Sequence, residues 1–361
     1  MKPISVIGSA SPGGLALGSA LPSPCSFYGP RGLFFDGDNL IVADTGNHRV
    51  LIFNSFDPSK HNEATVVLGQ PDFFSEMPAN GGPEKGLFMP TGVLVHKGSL
   101  IVADGWHHRV LVWSGLPESN WQEPTYVIGQ DKLSEIEPNR GTECNPHGLY
   151  WPFGIGFAAN KFWIADTGNR RVLGWNDLPL DGEAPQVIIG QDDGYSHEEN
   201  RGGVGRNGFR WVHDITGDET SLYLSDAGNH RVLYWPTCDS NDSEARAIIG
   251  QPDAFSTSEW PYGPHDQKRL RFPYSASLFQ GRMAIADTAN NRVLLYRDAP
   301  TTTFPSADDV IGQDNFAENG ENRWKEITDD SMCWPYAVQL LDDLLFVADT
   351  GNNRVVVWRV D

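Results

Sequence analysis

Short apolar runs alternate with turn-forming polar segments along the whole chain, and the alternation has a regular period. Residues 40–42 are apolar, residues 44–47 read Asp-Thr-Gly-Asn, and residues 50–53 are apolar again. Short apolar runs bounded by Gly, Asn and Asp are typical of β-strands that tight turns connect. In such a turn Asp accepts bonds from nearby backbone N–H groups, and we expect Gly46 to supply a positive φ.

A nine-residue motif recurs six times and sets this period. In its first copy, residues 43–51, it reads Ala-Asp-Thr-Gly-Asn-His-Arg-Val-Leu. Its Asp stands at positions 44, 104, 166, 226, 287 and 349, so consecutive copies lie 60 to 62 residues apart. Self-similarity at a fixed period across a chain is the signature of a repeat architecture. The Asp and Arg of the motif are present in every copy, which favours a structural role for both.

Two further marks accompany the motif. A strand that ends in Gly-Gln follows each of the first five copies, and a strand that begins near a proline precedes every copy except the fourth. Each repeat therefore holds four strands, which we name a to d from the proline to the Gly-Gln pair. Four short strands repeated six times predict an all-β chain folded as a six-bladed β-propeller of four-stranded blades.

The two ends of the chain predict how the ring of blades closes. Strand d follows each motif Asp by about 25 residues, so the strand d of the sixth copy would lie beyond Asp361. Residues 4–8, Ile-Ser-Val-Ile-Gly, have the sequence of a strand d instead. We therefore expect the N-terminal strand to complete the last blade, which leaves no open sheet edge. Residues 1–361 are predicted to form a single propeller domain.

With its motif repeated six times, the chain resembles the NHL-repeat proteins, whose members form six-bladed propellers. The resemblance rests on the sequence Ala-Asp-Thr-Gly-Asn-His-Arg-Val-Leu-Ile-Phe at residues 43–53 and covers essentially the whole chain. The resemblance implies one fold, the six-bladed propeller, but it does not imply one activity, because NHL propellers include enzymes, RNA-binding domains and protein-interaction platforms.

Charge and composition narrow the classes of partner. The formal net charge is −20 and the pI is near 4.8, which argues against binding of nucleic acid or anionic membranes. The chain has no apolar run long enough to span a bilayer. The N-terminus shows no signal region, so we expect a cytoplasmic location unless a leader has been removed. The four cysteines show no Cys-x-x-Cys spacing, which favours free thiols in a reducing compartment.

Candidate site residues lie where the copies differ. In propellers the b-to-c turns and d-to-a connections share one face, the top, around the mouth of the central channel. There we expect the residue after the strand-a proline to approach the channel axis, and these residues are Arg31, Thr91, Phe153, His213, Tyr274 and Tyr336. Arg31 can hold an anionic ligand group by bidentate bonds, or pair with a neighbouring carboxylate. His213 and the adjacent Asp214 suit acid/base catalysis or metal binding, although a structural role for His213 is the commoner case.

The second copy of the motif departs from the others, because Thr-Gly-Asn becomes Gly105-Trp106-His107. An exposed Trp beside histidines on the top face predicts a ligand contact, and sequence drift in a tolerant turn is the alternative. The candidates for ligand binding are therefore Arg31, Trp106, His107, His213, Asp214, Tyr274 and Tyr336.

A metal site is also considered. Cys144 and His147 are three residues apart beside Glu143, a spacing that suits a soft or borderline metal. Cys25 and Cys333 belong to top-face connections of neighbouring blades. The candidate ligands are Cys25, Cys144, His147, His213 and Cys333, and the cofactor they would hold is a divalent or soft metal ion at the top face.

Three functions remain open. The first is a platform that binds a protein or a small ligand at the top-face channel mouth, which fits the absence of a recognisable catalytic triad or nucleotide loop. The second is a metal-dependent lyase or hydrolase with its site at the same mouth, since the resembled family includes a zinc lyase. The third is a metal-handling or electron-transfer accessory protein that uses the cysteines. The sequence does not predict the oligomeric state.

Overall fold

The structure is a computed structural model that describes residues 1–8, 21–180, 182–241, 243–259 and 265–360. The regular structure in these residues consists of β-strands and short 3-10 helices. None of the described helices has the length and apolar character that crossing a bilayer requires. The 24 described strands form six antiparallel sheets of four strands each, arranged as the blades of a propeller. The predicted fold class is confirmed.

The strands follow the chain from blade to blade. Blade 1 contains β2 (Gly32–Phe35), β3 (Leu40–Asp44), β4 (Arg49–Phe53) and β5 (Val66–Leu68). Blade 2 contains β6 (Pro90–His96), β7 (Ser99–Asp104), β8 (Arg109–Trp113) and β9 (Tyr126–Ile128). Blade 3 contains β10 (Pro152–Ala158), β11 (Lys161–Asp166), β12 (Arg171–Trp175) and β13 (Val187–Ile189).

The second half of the ring has the same order. Blade 4 contains β14 (Val212–Gly217), β15 (Leu222–Asp226), β16 (Arg231–Trp235) and β17 (Ala247–Ile249). Blade 5 contains β18 (Pro273–Phe279), β19 (Arg282–Asp287), β20 (Arg292–Tyr296) and β21 (Asp309–Ile311). Blade 6 contains β22 (Pro335–Leu341), β23 (Leu344–Asp349), β24 (Arg354–Arg359) and β1 (Lys2–Gly8).

The N-terminal strand closes the ring as expected. β1 pairs antiparallel with β24, with Val6 opposite Val356 and Gly8 opposite Arg354. It therefore occupies the outer position that β5 occupies in blade 1. The apolar core lies between neighbouring blades, and the aromatic residue nine positions after each motif Asp is buried in it, namely Phe53, Trp113, Trp175, Trp235, Tyr296 and Trp358.

Each motif turn is a single turn of 3-10 helix, which differs in detail from the expected hairpin. These turns are Thr45–Asn47, Gly105–His107, Thr167–Asn169, Ala227–Asn229, Thr288–Asn290 and Thr350–Asn352. The positive φ lies at the residue after each turn, as at His48 with φ of 54°, and not at Gly46. Gly46 is required by close approach instead, because a Cβ there would lie 2.5 Å from the carbonyl oxygen of Tyr28.

Three further 3-10 segments lie in the long connections that lead into strands a. They are Pro138–Gly141, Glu199–Gly202 and Glu321–Trp324.

The motif Asp and Arg hold the top-face connections in place. Asp44 accepts Arg49 Nε at Oδ2 over 2.7 Å and the backbone N–H of Tyr28 at Oδ1 over 2.7 Å, and both side chains are fully buried. The other guanidinium nitrogens of Arg49 donate to the carbonyl oxygens of Ser23, Ser26 and Phe73. One buried ion pair per blade thus fastens a motif turn to the two connections beside it.

Candidate functional site

The inner strands a of the six blades surround a central channel with a cavity of about 240 Å³. All six residues that follow the strand-a proline position line this channel. The strands bring them there because each strand a begins at the top face, next to the motif turn of its own blade. At Gly46, for example, the motif turn donates to the carbonyl of Tyr28, just ahead of strand a.

Five of these six side chains form a continuous arc around the channel. The guanidinium carbon of Arg31 lies 4.9 Å from the ring centroid of Tyr336, and Tyr336 stacks on Tyr274 at 4.4 Å and 11°. The Tyr274 ring lies 4.5 Å from His213, and His213 lies 4.3 Å from Phe153. The arc therefore joins a cation to four aromatic rings from four different blades. Thr91 is buried, and its hydroxyl donates to the carbonyl of Phe153.

Arg31 stands at one end of this arc. Among the described residues, no carboxylate lies within ion-pair distance of its guanidinium group, and no hydrogen bond of that group is found. Contact with the face of Tyr336 orients the guanidinium plane without using its N–H donors. Of the two interpretations of Arg31, this geometry favours the one in which its donors remain available for an anionic group.

Asp214 lies across the channel from blade 1 and replaces a glycine. The equivalent residues of blades 1 to 3 are Gly32, Gly92 and Gly154, and a Cβ on Gly154 would lie 2.3 Å from the carbonyl oxygen of His213. The Asp214 carboxylate accepts the backbone N–H of Ile215 at 2.8 Å and that of Ala276 at 3.1 Å. Burial raises the pKa of this carboxyl to about 6, against the opposing effect of its hydrogen bonds.

His213 is 3% exposed and has a defined tautomer. Its Nδ1 lies 3.0 Å from the carbonyl oxygen of Trp211, and a carbonyl only accepts, so Nδ1 carries the proton. Nε2 is then the acceptor nitrogen. Burial lowers the pKa of His213 to about 4, with the positive charge of Arg31 adding to the effect and the bond to Trp211 opposing it. The imidazole is therefore neutral near pH 7.

The altered motif of blade 2 places one of its two candidates at the surface. Trp106 is 49% exposed on the top face, and its ring lies 5.9 Å from that of Phe88. His107 is 2% exposed, and its Nδ1 lies 2.8 Å from Asp104 Oδ2. It occupies the place of the motif Asn, whose amide makes the same contact in blade 1, as from Asn47 to Asp44. The expectation that His107 contacts a ligand directly is therefore wrong, because the side chain is buried in the turn.

The five predicted metal ligands are not gathered into one site. Cys144 is buried against the carbonyl oxygens of Gly194 and Ser196, and His147 is exposed in the same connection. Cys333 packs against the motif turn of blade 6, where a Cβ on Gly351 would lie 2.5 Å from its sulfur, and burial raises the pKa of its thiol to about 12. His213 is surrounded by aromatic rings.

Cys25 lies at the outer edge of blade 1 and not at the channel mouth. The carbonyl of the preceding Pro24 accepts the N–H of Ala64, just ahead of the outer strand β5. The described part of this connection, residues 21–31, therefore lies beside that edge before it reaches strand β2. Among the described residues, the sulfur of Cys25 lies within 4.8 Å of ligand atoms of His61 and Glu63.

A second ring of equivalent residues, one from each blade, was not predicted. It consists of the residues just before the strand-a proline position, namely Gly29, Met89, Trp151, Trp211, Phe272 and Trp334. Trp211 and Trp334 are each more than one-third exposed. We name Trp151, Trp211, Phe272 and Trp334 the aromatic belt. In the aligned repeats these residues stand one position before the strand-a proline position. The sequence signal is an aromatic residue at one position of the turn before strand a in four of the six repeats.

Residues after the motif Asn position hold this second ring from the preceding blade. His48 Nδ1 accepts the N–H of Met89 at 3.2 Å, and Asn291 Oδ1 accepts that of Trp334 at 2.9 Å. His108, His230 and Asn353 make the equivalent bonds to the next blade. Blade 3 has Arg170 at this position, which has no acceptor atom. The N–H of Trp211 bonds to Asp226 Oδ1 of its own blade at 3.4 Å instead, and Trp211 alone among these residues lacks a positive φ.

Comparisons with known proteins agree with this architecture. A family profile for the NHL repeat matches residues 27–53. The chain is 23% identical over 376 residues to "NHL repeat-containing protein 2" of Bos taurus, a match that covers 94% of this chain and 47% of the relative. The chain thus spans about half the length of this curated relative.

Two solved structures show the same fold. An auxiliary nutrient binding protein from Bacteroides thetaiotaomicron has a TM-score of 0.54 at 11% identity, with 93% of this chain and 71% of that chain covered. The WD40 β-propeller domain of Doa1 has a TM-score of 0.52 at 9% identity, with 99% and 96% covered. At these identities the likeness shows the propeller fold alone.

Proposed function

The chain belongs to the NHL-repeat family, and on that premise we propose that it is a binding protein whose site is the top mouth of the central channel. Arg31 would bind an anionic group there, carried by a small ligand or by a side chain of a protein partner. The observation that carries this proposal is the Arg31 guanidinium, which stacks on Tyr336 at the channel lining and has no carboxylate partner among the described residues.

The chemistry of Arg31 supports an anion as the bound group. A guanidinium offers five N–H donors in a planar fork that matches a carboxylate or a phosphate, and charge-assisted bonds of this kind are the stronger class. The overall charge of −20 does not attract anions from a distance. Recognition would therefore depend on short-range contacts at the mouth.

The surrounding aromatic side chains would supply most of the contact area. Tyr274, Tyr336 and Phe153 line the channel, and two rings of the aromatic belt contact them, Trp151 at 6.1 Å from Phe153 and Phe272 at 6.4 Å from Tyr274. Exposed Trp and Tyr side chains are enriched among the residues that dominate binding energy. A cavity of about 240 Å³ is below the usual range of about 300–1,000 Å³ for drug-sized ligands. We infer that a small ligand, or one group of a larger one, enters the channel.

An Arg31→Gln variant tests this function. Thermal shift and calorimetric titration would use benzoate, succinate and inorganic phosphate as probes of an anion that aromatic rings flank. We expect benzoate to bind the unaltered protein, and the variant to lose about 10-fold to 100-fold in affinity, as expected for a lost charged hydrogen bond. Arg297→Gln is the control, because Arg297 is 75% exposed and pairs with Asp309 away from the channel. Equal affinities for the two variants would reject the proposal.

An enzyme at the same mouth is the second candidate. The supporting observation is the adjacency of neutral His213, whose Nε2 is an acceptor, to Asp214 with its raised pKa of about 6. Among the described lining residues these are the only His, Cys or acidic side chains. Catalytic zinc commonly has three protein ligands, so a metal-dependent lyase or hydrolase has less support than metal-free acid/base chemistry. Turnover of esters or lactones that is lost in His213→Gln would favour this candidate.

A further inference from the structure

A second site, separate from the channel, lies at the outer edge of blade 1. Ligand atoms of Cys25, His61 and Glu63 all lie within 4.8 Å of one another. Cys25 precedes strand β2, whereas His61 and Glu63 lie in the connection between strands β4 and β5. Cys25 was predicted to belong to a different set of ligands, and His61 and Glu63 were not among the predicted ligands.

Both segments of this site are held by backbone and side-chain hydrogen bonds. The carbonyl of Pro24, next to Cys25, accepts the N–H of Ala64, next to Glu63, at 2.8 Å. Asn62, between the other two residues, donates to the carbonyls of Asp57 and Lys60 at 2.8 Å each. The three side chains are therefore brought together by contacts that do not involve a metal.

We propose that Cys25, His61 and Glu63 bind a divalent transition-metal ion of the zinc type. A thiolate, an imidazole nitrogen and a carboxylate oxygen are the three donor types that zinc uses in proteins, with bonds of about 2.0–2.3 Å. His61 Nε2 and Glu63 Oε1 lie 3.5 Å apart, which fits two ligands of one tetrahedral ion. The thiolate and imidazole disfavour magnesium and calcium, which prefer oxygen ligands.

Three protein donors leave a fourth position of a tetrahedral ion for water or another small ligand. His61 and Glu63 are exposed and Cys25 is partly exposed, so an ion can enter from solvent. On binding, the sulfur–hydrogen bond of Cys25 breaks, the sulfur bonds to the metal, and the proton goes to solvent. No electron is transferred in this step.

The test uses the full chain, purified without a histidine tag and treated with a chelator. Cobalt(II) serves as the spectroscopic probe, since a thiolate ligand produces a charge-transfer band in the near ultraviolet. Zinc is then added to displace cobalt, and a chromophoric chelator measures its affinity and stoichiometry. The variants are Cys25→Ser, His61→Ala and Glu63→Gln. Cys333→Ser and His147→Ala are matched controls, because each changes the same residue type in a connection of another blade.

We expect one zinc ion per chain and a cobalt thiolate band that zinc removes. Cys25→Ser should abolish the band, and each of the three variants should weaken zinc binding by at least ~10-fold while both controls bind as the unaltered chain does. A cobalt spectrum without the thiolate band would overturn the proposal. So would zinc binding that is unchanged in Cys25→Ser, because the ion would then belong to other donors. Neither result bears on the proposed channel site, which Arg31→Gln tests independently.

Discussion

Buried and half-buried charges occur in two different arrangements in this propeller. In every blade a motif Asp and a motif Arg form an ion pair at 2.7–2.9 Å, with both side chains almost fully buried. In the central channel, by contrast, Arg31 has no counterpart outside blade 1 and Asp214 has none outside blade 4. The two side chains form no ion pair with each other. In the repeated Asp–Arg pairs, the charged atoms bond to other atoms of the protein. The second arrangement leaves charged atoms facing the channel.

The repeated charges hold the fold together, whereas the charges that occur in one blade are the ones that we propose to serve binding. A charge that recurs in every blade serves a contact that every blade requires, here the attachment of the long top-face connections. A charge present in one blade breaks the symmetry of the ring and is free to face a ligand. The contrast predicts that the two kinds of charge respond in opposite directions when they are neutralised.

The largest effect should follow from breaking one repeated pair. Arg231 donates to Asp226 at 2.9 Å and to the carbonyls of Ala254 and Gly208. In Arg231→Met the buried Asp226 loses its cation, so we expect the free energy of unfolding to fall by about 3–5 kcal/mol. Urea unfolding followed by fluorescence measures this.

Arg297→Met is the control for that measurement, because its pair with Asp309 is exposed and such pairs contribute about 0–1 kcal/mol. Equal losses in the two variants would show that the buried pair has no special role, and the contrast between the two arrangements would then fail.

Neutralising the Asp214 carboxylate in the channel should raise the free energy of unfolding, whereas breaking a repeated pair lowers it. The pKa of Asp214 is raised from 3.8 to about 6 in the folded chain, so its stabilising contribution is complete below pH 3.8 and is lost as pH rises through 6. At pH 7.5 Asp214→Asn should therefore be more stable than the unaltered chain, by up to about 3 kcal/mol. Below about pH 4 the two should converge. Unfolding curves between pH 4 and pH 8 measure the difference, and a destabilised variant at pH 7.5 would contradict the assignment.

Much of the fold was predictable because the sequence features of one blade recur in all six repeats. The motif Asp positions predicted the blades, and residues 4–8 predicted the closure that β1 and β24 make. The six residues after the strand-a proline were predicted to approach the axis, since one alignment position corresponds to one height in the ring. All of these inferences use what the copies share.

The remaining features depend on residues that occur in only one of the six repeats. His61 approaches Cys25 because the connection into blade 1 bonds to Ala64, a contact that local propensities do not encode. His107 is buried because it replaces a motif Asn whose contact with Asp was unknown from sequence. Blade 4 starts without a bond from blade 3, because Arg170 stands where the other blades have a His or Asn acceptor. For His61 and for the start of blade 4, the deciding partner is far away in the chain.

A smaller effect tests the bonds between blades. His108 Nδ1 accepts the N–H of Trp151 at 3.1 Å, and burial lowers the pKa of His108 to about 4, with His107 adding to the effect and Asp104 opposing it. A lowered histidine pKa stabilises the fold above pH 6.5, and this contribution is lost as pH falls through 4.

His108→Asn keeps an acceptor without a titratable group, as Asn291 and Asn353 do in their blades. The variant should therefore lose less stability than the unaltered chain between pH 6.5 and 4, by about 1–2 kcal/mol after allowance for partial exposure. Thermal unfolding at several pH values measures this, and identical pH profiles for the two proteins would show that His108 does not titrate in this way.

The smallest effect should come from His107→Asn, which restores the residue of the other five motifs. His107 contacts Asp104 Oδ2 at 2.8 Å, and the Asn amide of blade 1 contacts its own Asp at the same distance. The change in unfolding free energy should therefore stay within about 0.5 kcal/mol, whereas His107→Ala leaves the contact unmade and should cost about 1–3 kcal/mol. Benzoate affinity should be the same for both variants, because a side chain that serves the turn does not face the channel. If His107→Asn lost benzoate binding without losing stability, His107 would serve ligand binding and not only the turn.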